Sequence, residues 1–140
     1  MKKKHVWFTA AIIYCVAIFV TTASPASTGG NTFSLFVDFI HLSEGQAAVV
    51  NLLFRKCVHL SAFGLLAILF YNSFERKPFF LAWLLTTIYA ATDEFHQYFL
   101  PDRTGSIIDV GIDSIGALIA LLLLKLIHLR KHRTHQQRHA

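Results

Sequence analysis

Four long apolar runs constrain the fold of this chain more than any other feature. They lie at about residues 6–22, 57–74, 79–98 and 107–129. Each run approaches the roughly 20 residues that an α-helix needs to cross a bilayer. The apolar fraction of 54% and the charged fraction of 15% also differ from those of an ordinary soluble domain. The sequence therefore predicts an all-α, polytopic membrane helix bundle of about four transmembrane helices, in which residues 1–127 form the transmembrane domain.

The first apolar run has two interpretations. The basic start Lys2–Lys4, the apolar stretch and the small residues Thr21–Ser27 together resemble a secretory signal peptide with its cleavage site. The run is long for the apolar part of a signal peptide, which favours its retention as a first transmembrane helix. With either interpretation, the residues after Ala23 begin outside the cytoplasm.

The positions of Lys and Arg predict how the helices are oriented, because cytoplasmic loops are enriched in these residues. If the N-terminus is inside, ten of the thirteen basic residues are cytoplasmic: Lys2, Lys3, Lys4, Arg76, Lys77, Lys125, Arg130, Lys131, Arg133 and Arg138. Arg55, Lys56 and Arg103 are then outside. Both termini of the uncleaved chain are predicted to be cytoplasmic. The basic residues that give the net charge of +5 flank the membrane segments. Membrane lipids and not nucleic acids are therefore the expected partners.

The outer connection between the first two runs contains a predicted short helix over Phe33–Leu42. Its apolar residues follow the spacing i, i+3, i+4 and i+7: Phe33, Phe36, Val37 and Ile40. The helix either lies in the outer membrane interface, with Asp38 and His41 toward water, or packs on the mouth of the bundle. Residues 46–54 either belong to the same connection or extend the second transmembrane helix.

The C-terminal residues 130–140 are predicted to form a basic, His-rich cytoplasmic tail. Histidines recur here at spacings of 4, 3 and 4: His128, His132, His135 and His139. On a continued helix they would share one face, which permits weak metal binding. A solvated tail beside anionic lipids is the favoured interpretation.

Three clusters of polar residues are predicted to meet at the external surface of the membrane. They are Arg55, Lys56 and His59 at the start of the second run, Asp93, Glu94, His96 and Gln97 at the end of the third, and Asp109 and Asp113 at the start of the fourth. The second and fourth helices run inward and the third runs outward, so these ends share one depth. Ionisable groups near a bilayer core are costly and usually mark a functional site. Gly116 and Ala120 follow on the Asp109 side of the fourth helix, where small residues allow close helix packing.

The chemistry of this polar cluster has several interpretations. Arg55, Lys56 and Arg103 could hold an anionic headgroup, while the site is shaped by Asp93, Glu94, His96, Gln97, Asp109 and Asp113. His59 and His96 could bind one divalent metal together with the acids. Glu94 or His96, beside Asp93, could perform general acid–base catalysis. A proton relay or a purely structural network of ion pairs would also account for such a cluster. The sequence has no nucleophile elbow or phosphate-binding glycine loop, no cofactor is predicted, and whether the protein is an enzyme is left open.

The polar residues resemble the signature of the VanZ-like membrane protein family. The match comprises Asp93-Glu94-Phe95-His96-Gln97, then Pro101, Arg103, Ser106, Asp109 and Gly116, and also the segment Arg55–His59. It covers roughly Arg55 to Leu124. Two positions depart from the family pattern, because Asp102 replaces a common glycine and Asp113 replaces a common asparagine, which adds a negative charge.

The resemblance implies a small bacterial integral membrane protein with four or five helices, in a family whose namesake is linked to teicoplanin resistance. The leading prediction is a cell-envelope membrane protein whose outward-facing polar site engages the headgroup of a lipid or of a lipid-linked cell-wall precursor, with a link to glycopeptide resistance. Two competing predictions are a membrane-embedded enzyme, metal-dependent or acid–base, that acts on such a headgroup, and a polar network with a structural role alone.

Overall fold

The computed structural model describes residues 3–24, 28–38, 40–76, 78–100 and 105–137, with side chains up to residue 131. Within these ranges the chain forms helices and no strands. The helices are α1 (Lys3–Ala23), α2 (Gly29–Asp38), α3 (Glu44–Ser73), α4 (Pro78–Tyr98) and α5 (Ile107–Gln137). The prediction of an all-α helix bundle is confirmed.

Three of the described helices are long and apolar enough to cross a membrane: Lys3–Ala23, Glu44–Ser73 and Ile107–Lys131. Large apolar side chains on these helices point outward, and Ile13 and Leu123 are 65% and 55% exposed. A membrane protein can present such side chains to lipid at no cost, whereas a soluble domain of this size rarely does. The chain is therefore a membrane protein. The predicted fourth span, α4, has 21 residues but falls outside this set, because its last turns are polar.

Contacts at both ends of the bundle define the directions of the helices. The Lys4 Nζ atom at the start of α1 lies 3.1 Å from Glu75 Oε1, just after α3 ends. At the other end, Thr22 Oγ1 of α1 donates a 2.7 Å hydrogen bond to Asp93 Oδ1 of α4. The rings of Tyr71 and His128 stack near the ends of α3 and α5, with centroids 6.4 Å apart. Thus α1 and α4 run in one direction, and α3 and α5 run in the other.

The central helix α3 contacts each of the other four helices, and it approaches α5 closely. A Cβ atom placed on Gly116 would lie only 2.7 Å from the carbonyl oxygen of Leu60, and one on Gly64 would lie 3.2 Å from the Cβ of Ala120. Glycine lets the two backbones meet here because it has no side chain. The close approach predicted from Gly116 and Ala120 is confirmed.

The first part of α3 extends well beyond the apolar run, since the helix begins at Glu44 and not near the predicted residue 57. The backbone N–H and the Oγ of Ser43 lie 3.2 and 3.0 Å from Gln46 Oε1. These contacts fit the S-x-x-Q spacing of a capping box, which satisfies backbone donors at a helix start. The open question about residues 46–54 is therefore answered, because they belong to α3.

The short helix α2 packs against the first half of α3. The side-chain amide of Asn51 donates a 3.0 Å hydrogen bond to the carbonyl oxygen of Gly29, and the rings of Phe36 and Phe54 meet edge to face with centroids 5.6 Å apart. The helix lies about one turn earlier than the predicted Phe33–Leu42, because it ends at Asp38. Of the two arrangements that the sequence left open, in the membrane interface or packed on the bundle, the structure shows the packed one.

The helix α5 continues to Gln137, past the predicted end near residue 129. Part of the predicted tail is therefore helical, and residues 138–140 lie outside the described chain.

The contact between α3 and α5 gives a first testable prediction. Replacing Gly116 with alanine should lower the free energy of unfolding by about 1–3 kcal/mol, because a new methyl group overpacks a close helix contact. Thermal unfolding of the purified protein in detergent would measure this loss.

Gly111 provides the matched control on the same helix, since a Cβ there meets nothing within 4 Å. Gly111→Ala should preserve or raise stability because alanine favours the helix over glycine by about 1 kcal/mol. Equal losses for both variants would contradict the role of Gly116 in helix approach.

Candidate functional site

Polar residues from α3, α4 and α5 line a cavity of about 160 Å³ at the end of the bundle where Thr22 meets Asp93. The lining consists of Leu52, Arg55, Lys56, His59, Glu94, Gln97, Asp109, Ile112 and Asp113. The helix directions explain the convergence, because α3 and α5 begin at this end and α4 ends there. We refer to this space as the polar cavity.

The Lys56 ammonium and the Asp109 carboxylate form an ion pair across the α3–α5 contact. Their side chains are 34% and 26% exposed, so the pair lies at the rim of the polar cavity. It neutralises one positive and one negative charge of the lining and connects the starts of the two helices.

The guanidinium of Arg55 points toward α2. Its Nη1 atom lies 2.8 Å from the position that a Cβ of Gly29 would occupy, so the absence of a side chain at Gly29 makes room for it. Within the described part of the chain, Arg55 makes no hydrogen bond or ion pair. Arg55 is therefore a half-buried positive charge of the lining that no described carboxylate neutralises.

One histidine and two acidic residues lie close together in the cavity lining, namely His59, Glu94 and Asp113. We call them the His–acid cluster. The His59 Nδ1 atom is 3.5 Å from Asp113 Oδ2. Asp113 is 1% exposed, and neither of its carboxylate oxygens has a hydrogen-bond partner among the described residues. Glu94 is also buried, and its Oε2 accepts a 2.9 Å hydrogen bond from the backbone N–H of Ser106. The cluster thus holds two buried carboxylates with few described donors around them.

Asp93 and His96 face α1 and are not part of the cavity lining. Asp93 accepts hydrogen bonds from Thr22 Oγ1 at 2.7 Å and from Gln97 Nε2 at 3.0 Å. The ring of His96 packs on Phe19, with centroids 4.3 Å apart. These contacts join α1 to α4 and leave Glu94 and Gln97 as the residues of α4 that reach the polar cavity.

The structure gathers most of the residues that the sequence predicts for the site: Arg55, Lys56, His59, Glu94, Gln97, Asp109 and Asp113. Of the catalytic candidates, Glu94 lines the cavity whereas Asp93 and His96 do not. Of the metal candidates, His59 belongs to the His–acid cluster and His96 does not. Arg103 lies outside the described residues. The functional roles of all these residues stay predictions.

Three contributors were missed at the sequence level. Thr22 binds Asp93, Ser106 binds Glu94, and Gly29 accommodates Arg55. Thr22 ends an apolar run and Gly29 begins the outer connection, so neither carries a local signal of its role. Ser106 belongs to the family-like pattern, but its contact with Glu94 is made by the backbone N–H, which the residue type does not reveal.

The fold and the cavity define a class, namely an all-α membrane protein with a cluster of ionisable groups at one end of its bundle. A family model described as VanZ/LLP1 matches residues 7–128. Because the match covers most of the chain, the protein belongs to the VanZ/LLP1 family. Neither the curated proteins nor the solved structures include a match.

The rim ion pair gives a prediction about stability. Lys56→Gln should lower the free energy of unfolding by about 1 kcal/mol, because Asp109 then lacks its counter-charge. This value is at the upper end of the range for exposed ion pairs, since the rim pair is partly buried. Replacing Asp109 with asparagine as well should recover part of this loss, which thermal unfolding of the single and double variants in detergent would show.

Lys4→Gln is the control, since the Lys4–Glu75 pair is more exposed, at 36% and 74% of the two side chains. Its removal should change stability less than Lys56→Gln does. A loss at Lys4 that equals or exceeds the loss at Lys56 would argue against a special role for the rim pair.

Proposed function

We propose that the polar cavity binds the anionic headgroup of a membrane lipid or of a lipid-linked cell-wall precursor. The observation that carries this proposal is the guanidinium of Arg55, which has no partner in the described part of the chain and lies next to a lysine that is already paired. A guanidinium binds phosphate or carboxylate oxygens with two parallel hydrogen bonds. A half-buried arginine without a counter-ion is costly, and an anionic ligand would remove that cost.

A second cavity of about 140 Å³ supports a ligand with an apolar part. It is lined by Thr21, Thr22, Thr32, Phe54, Arg55, Val58 and His59. It therefore shares Arg55 and His59 with the polar cavity and adds the apolar side chains of Phe54 and Val58. A lipid could place its charged group at Arg55 and the beginning of its chain against Phe54 and Val58. Free phosphate would use the first cavity alone.

The proposed orientation has four membrane passes, with α4 as the fourth, and both termini in the cytoplasm. The alternation of helix directions is what four consecutive passes by α1, α3, α4 and α5 require. The excess of Lys and Arg at the opposite end from the polar cavity favours that end as cytoplasmic. This orientation makes the polar cavity face outward, where lipid-linked cell-wall precursors are used.

Cysteine labelling can test the orientation. Ser34 on α2 and Arg76 after α3 are both exposed and lie toward opposite ends of the bundle. In a chain whose Cys15 and Cys57 are replaced by alanine, Ser34→Cys should react with a membrane-impermeant maleimide in intact cells. Arg76→Cys should react only after the membrane is permeabilised. The reverse pattern, or labelling of both from one side, would refute the four-pass orientation.

Arg55 provides the test of headgroup binding. Arg55→Gln should weaken binding of a polyprenyl pyrophosphate about tenfold to hundredfold, because hydrogen bonds to a charged group contribute roughly 1.5–3 kcal/mol. Arg55→Lys should retain part of the affinity, since it keeps the charge but loses the planar fork. Native mass spectrometry in phosphatidylcholine nanodiscs would measure binding of the polyprenyl pyrophosphate, of phosphatidylglycerol and of inorganic pyrophosphate.

Arg76→Gln is the matched control, because Arg76 is an exposed arginine at the other end of the bundle. It should bind the polyprenyl pyrophosphate as the parent does. If Arg55→Gln binds equally well, the headgroup proposal is wrong. If Arg55→Gln instead loses thermal stability and the parent binds none of the three ligands, the purely structural interpretation is favoured.

The physiological setting that we propose is tolerance to glycopeptides, because the family resemblance implies a link to teicoplanin. A headgroup site that faces outward would act on the same lipid-linked precursors that glycopeptides recognise. In a susceptible bacterium that expresses the protein, Arg55→Gln should abolish the teicoplanin tolerance that the parent confers at equal membrane abundance.

A further inference from the structure

We propose that His59, Glu94 and Asp113 bind one divalent transition-metal ion, with Zn²⁺ as the best fit. The inference concerns the His–acid cluster alone and does not depend on the headgroup that Arg55 binds. It also narrows the ligand set predicted from the sequence, because, of His59, His96 and the acids, it keeps His59, Glu94 and Asp113.

The Asp113 carboxylate gives the first argument. It is 1% exposed, and both of its oxygens lack a hydrogen-bond donor among the described residues. Removing a carboxylate from water without a partner costs several kcal/mol. The charge partner that the described polypeptide supplies is His59, whose Nδ1 lies 3.5 Å from Oδ2, so both oxygens can accept a further partner such as a cation.

The spacing of the ligand atoms gives the second argument. One ligand atom from each of His59, Glu94 and Asp113 lies within 4.8 Å of the others. The His59 Nδ1 to Asp113 Oδ2 distance of 3.5 Å is long for a hydrogen bond. It is close to the roughly 3.4 Å that separates two ligand atoms in a tetrahedral zinc site with bonds of about 2.1 Å.

The local charge balance gives the third argument. Lys56 is engaged by Asp109, and the Arg55 guanidinium lies beside Gly29. Among the described residues, His59 is the basic side chain that pairs with Asp113, and no basic side chain pairs with Glu94. A divalent cation would neutralise Glu94 and Asp113 while His59 stays uncharged as a ligand.

The chemistry of the donors selects the class of ion. An imidazole nitrogen is a good ligand for Zn²⁺ and other divalent transition metals, and Zn²⁺ also accepts carboxylate oxygens, whereas Mg²⁺ and Ca²⁺ prefer sites made of oxygen atoms. The hydrogen bond from the Ser106 N–H to Glu94 Oε2 would orient one ligand in the manner of outer-sphere contacts at metal sites. Three protein ligands leave a fourth position of a tetrahedral ion for a molecule in the polar cavity.

Metal titration of the purified full-length chain tests the inference. All proteins compared should carry glutamine at His132, His135 and His139 and an affinity tag without histidine, so that other imidazoles do not compete. In maltoside detergent without phospholipid, Co²⁺ is added and its visible d–d absorption is recorded, and bound Zn²⁺ is counted by elemental analysis after gel filtration. The parent should bind one equivalent with the spectrum of a four-coordinate ion.

Asp113→Asn and His59→Gln should each weaken binding at least on the order of a hundredfold, because outer-sphere changes alone cost ten- to hundredfold at metal sites. His96→Gln is the matched control and should bind as the parent does, because His96 packs on Phe19 and is not part of the cavity lining. Thermal unfolding of each metal-free variant shows which of them are folded, and a folded ligand variant of either residue is sufficient for the comparison.

A parent protein that binds less than one equivalent would overturn the inference, and so would folded Asp113→Asn and His59→Gln variants with parental affinity. Equal weakening by His96→Gln would overturn the ligand assignment. Arg55→Gln should keep its metal, so loss of headgroup binding in that variant alone leaves the metal site standing. Absence of metal in a parent that binds the headgroup would remove this inference alone.

Discussion

The cost of burying charge between apolar helices governs the organisation of this protein. A carboxylate in such surroundings is stable only with an opposite charge or several hydrogen-bond donors around it. Asp109 has Lys56, and Asp93 has Thr22 and Gln97. Among the described residues, Asp113 has only the distant Nδ1 of His59. The carboxylates that are fully compensated bind the helices together, and the one that is not marks the position that we propose for function.

The compensation depends on how closely α3 and α5 approach each other. Gly64 and Gly116 bring the two backbones together, one to two turns along the helices from the polar cavity. The two helices are parallel, so this contact also sets which residues face each other at their starts. Lys56 then meets Asp109, and His59 meets Asp113. Two glycines, which have no side chain, thus determine which charged residues of α3 and α5 face each other.

Topology and composition were sufficient to predict the class of fold and the meeting of three polar clusters. Helix ends that share a membrane surface must lie at one depth, and the basic residues predict which surface it is. The rotation of α4 about its axis could not be predicted, because it depends on contacts with α1. Asp93, His96 and Gln97 share a face by spacing, but Thr22 and Phe19 hold Asp93 and His96 toward α1. Glu94, which the spacing places on a neighbouring face, consequently reaches the cavity. The early start of α3 was not predicted because the predicted boundary followed the apolar run. The contacts between Ser43 and Gln46 that begin the helix involve polar residues outside that run.

The headgroup and the metal ion that we propose would assist each other electrostatically. His59 lines both cavities, so an anion held by Arg55 would lie near the buried carboxylates of Glu94 and Asp113. Without a cation, these like charges would repel the anion in a region of low dielectric constant. A divalent ion on the His–acid cluster would replace that repulsion with attraction, and its open coordination position could accept an oxygen of the headgroup. By thermodynamic linkage, each ligand would then raise the affinity of the other by the same factor. A site that combines Arg55 with Glu94 and Asp113 is therefore electrostatically balanced when both ligands are bound, whereas an anion bound without the cation would be repelled by the two carboxylates.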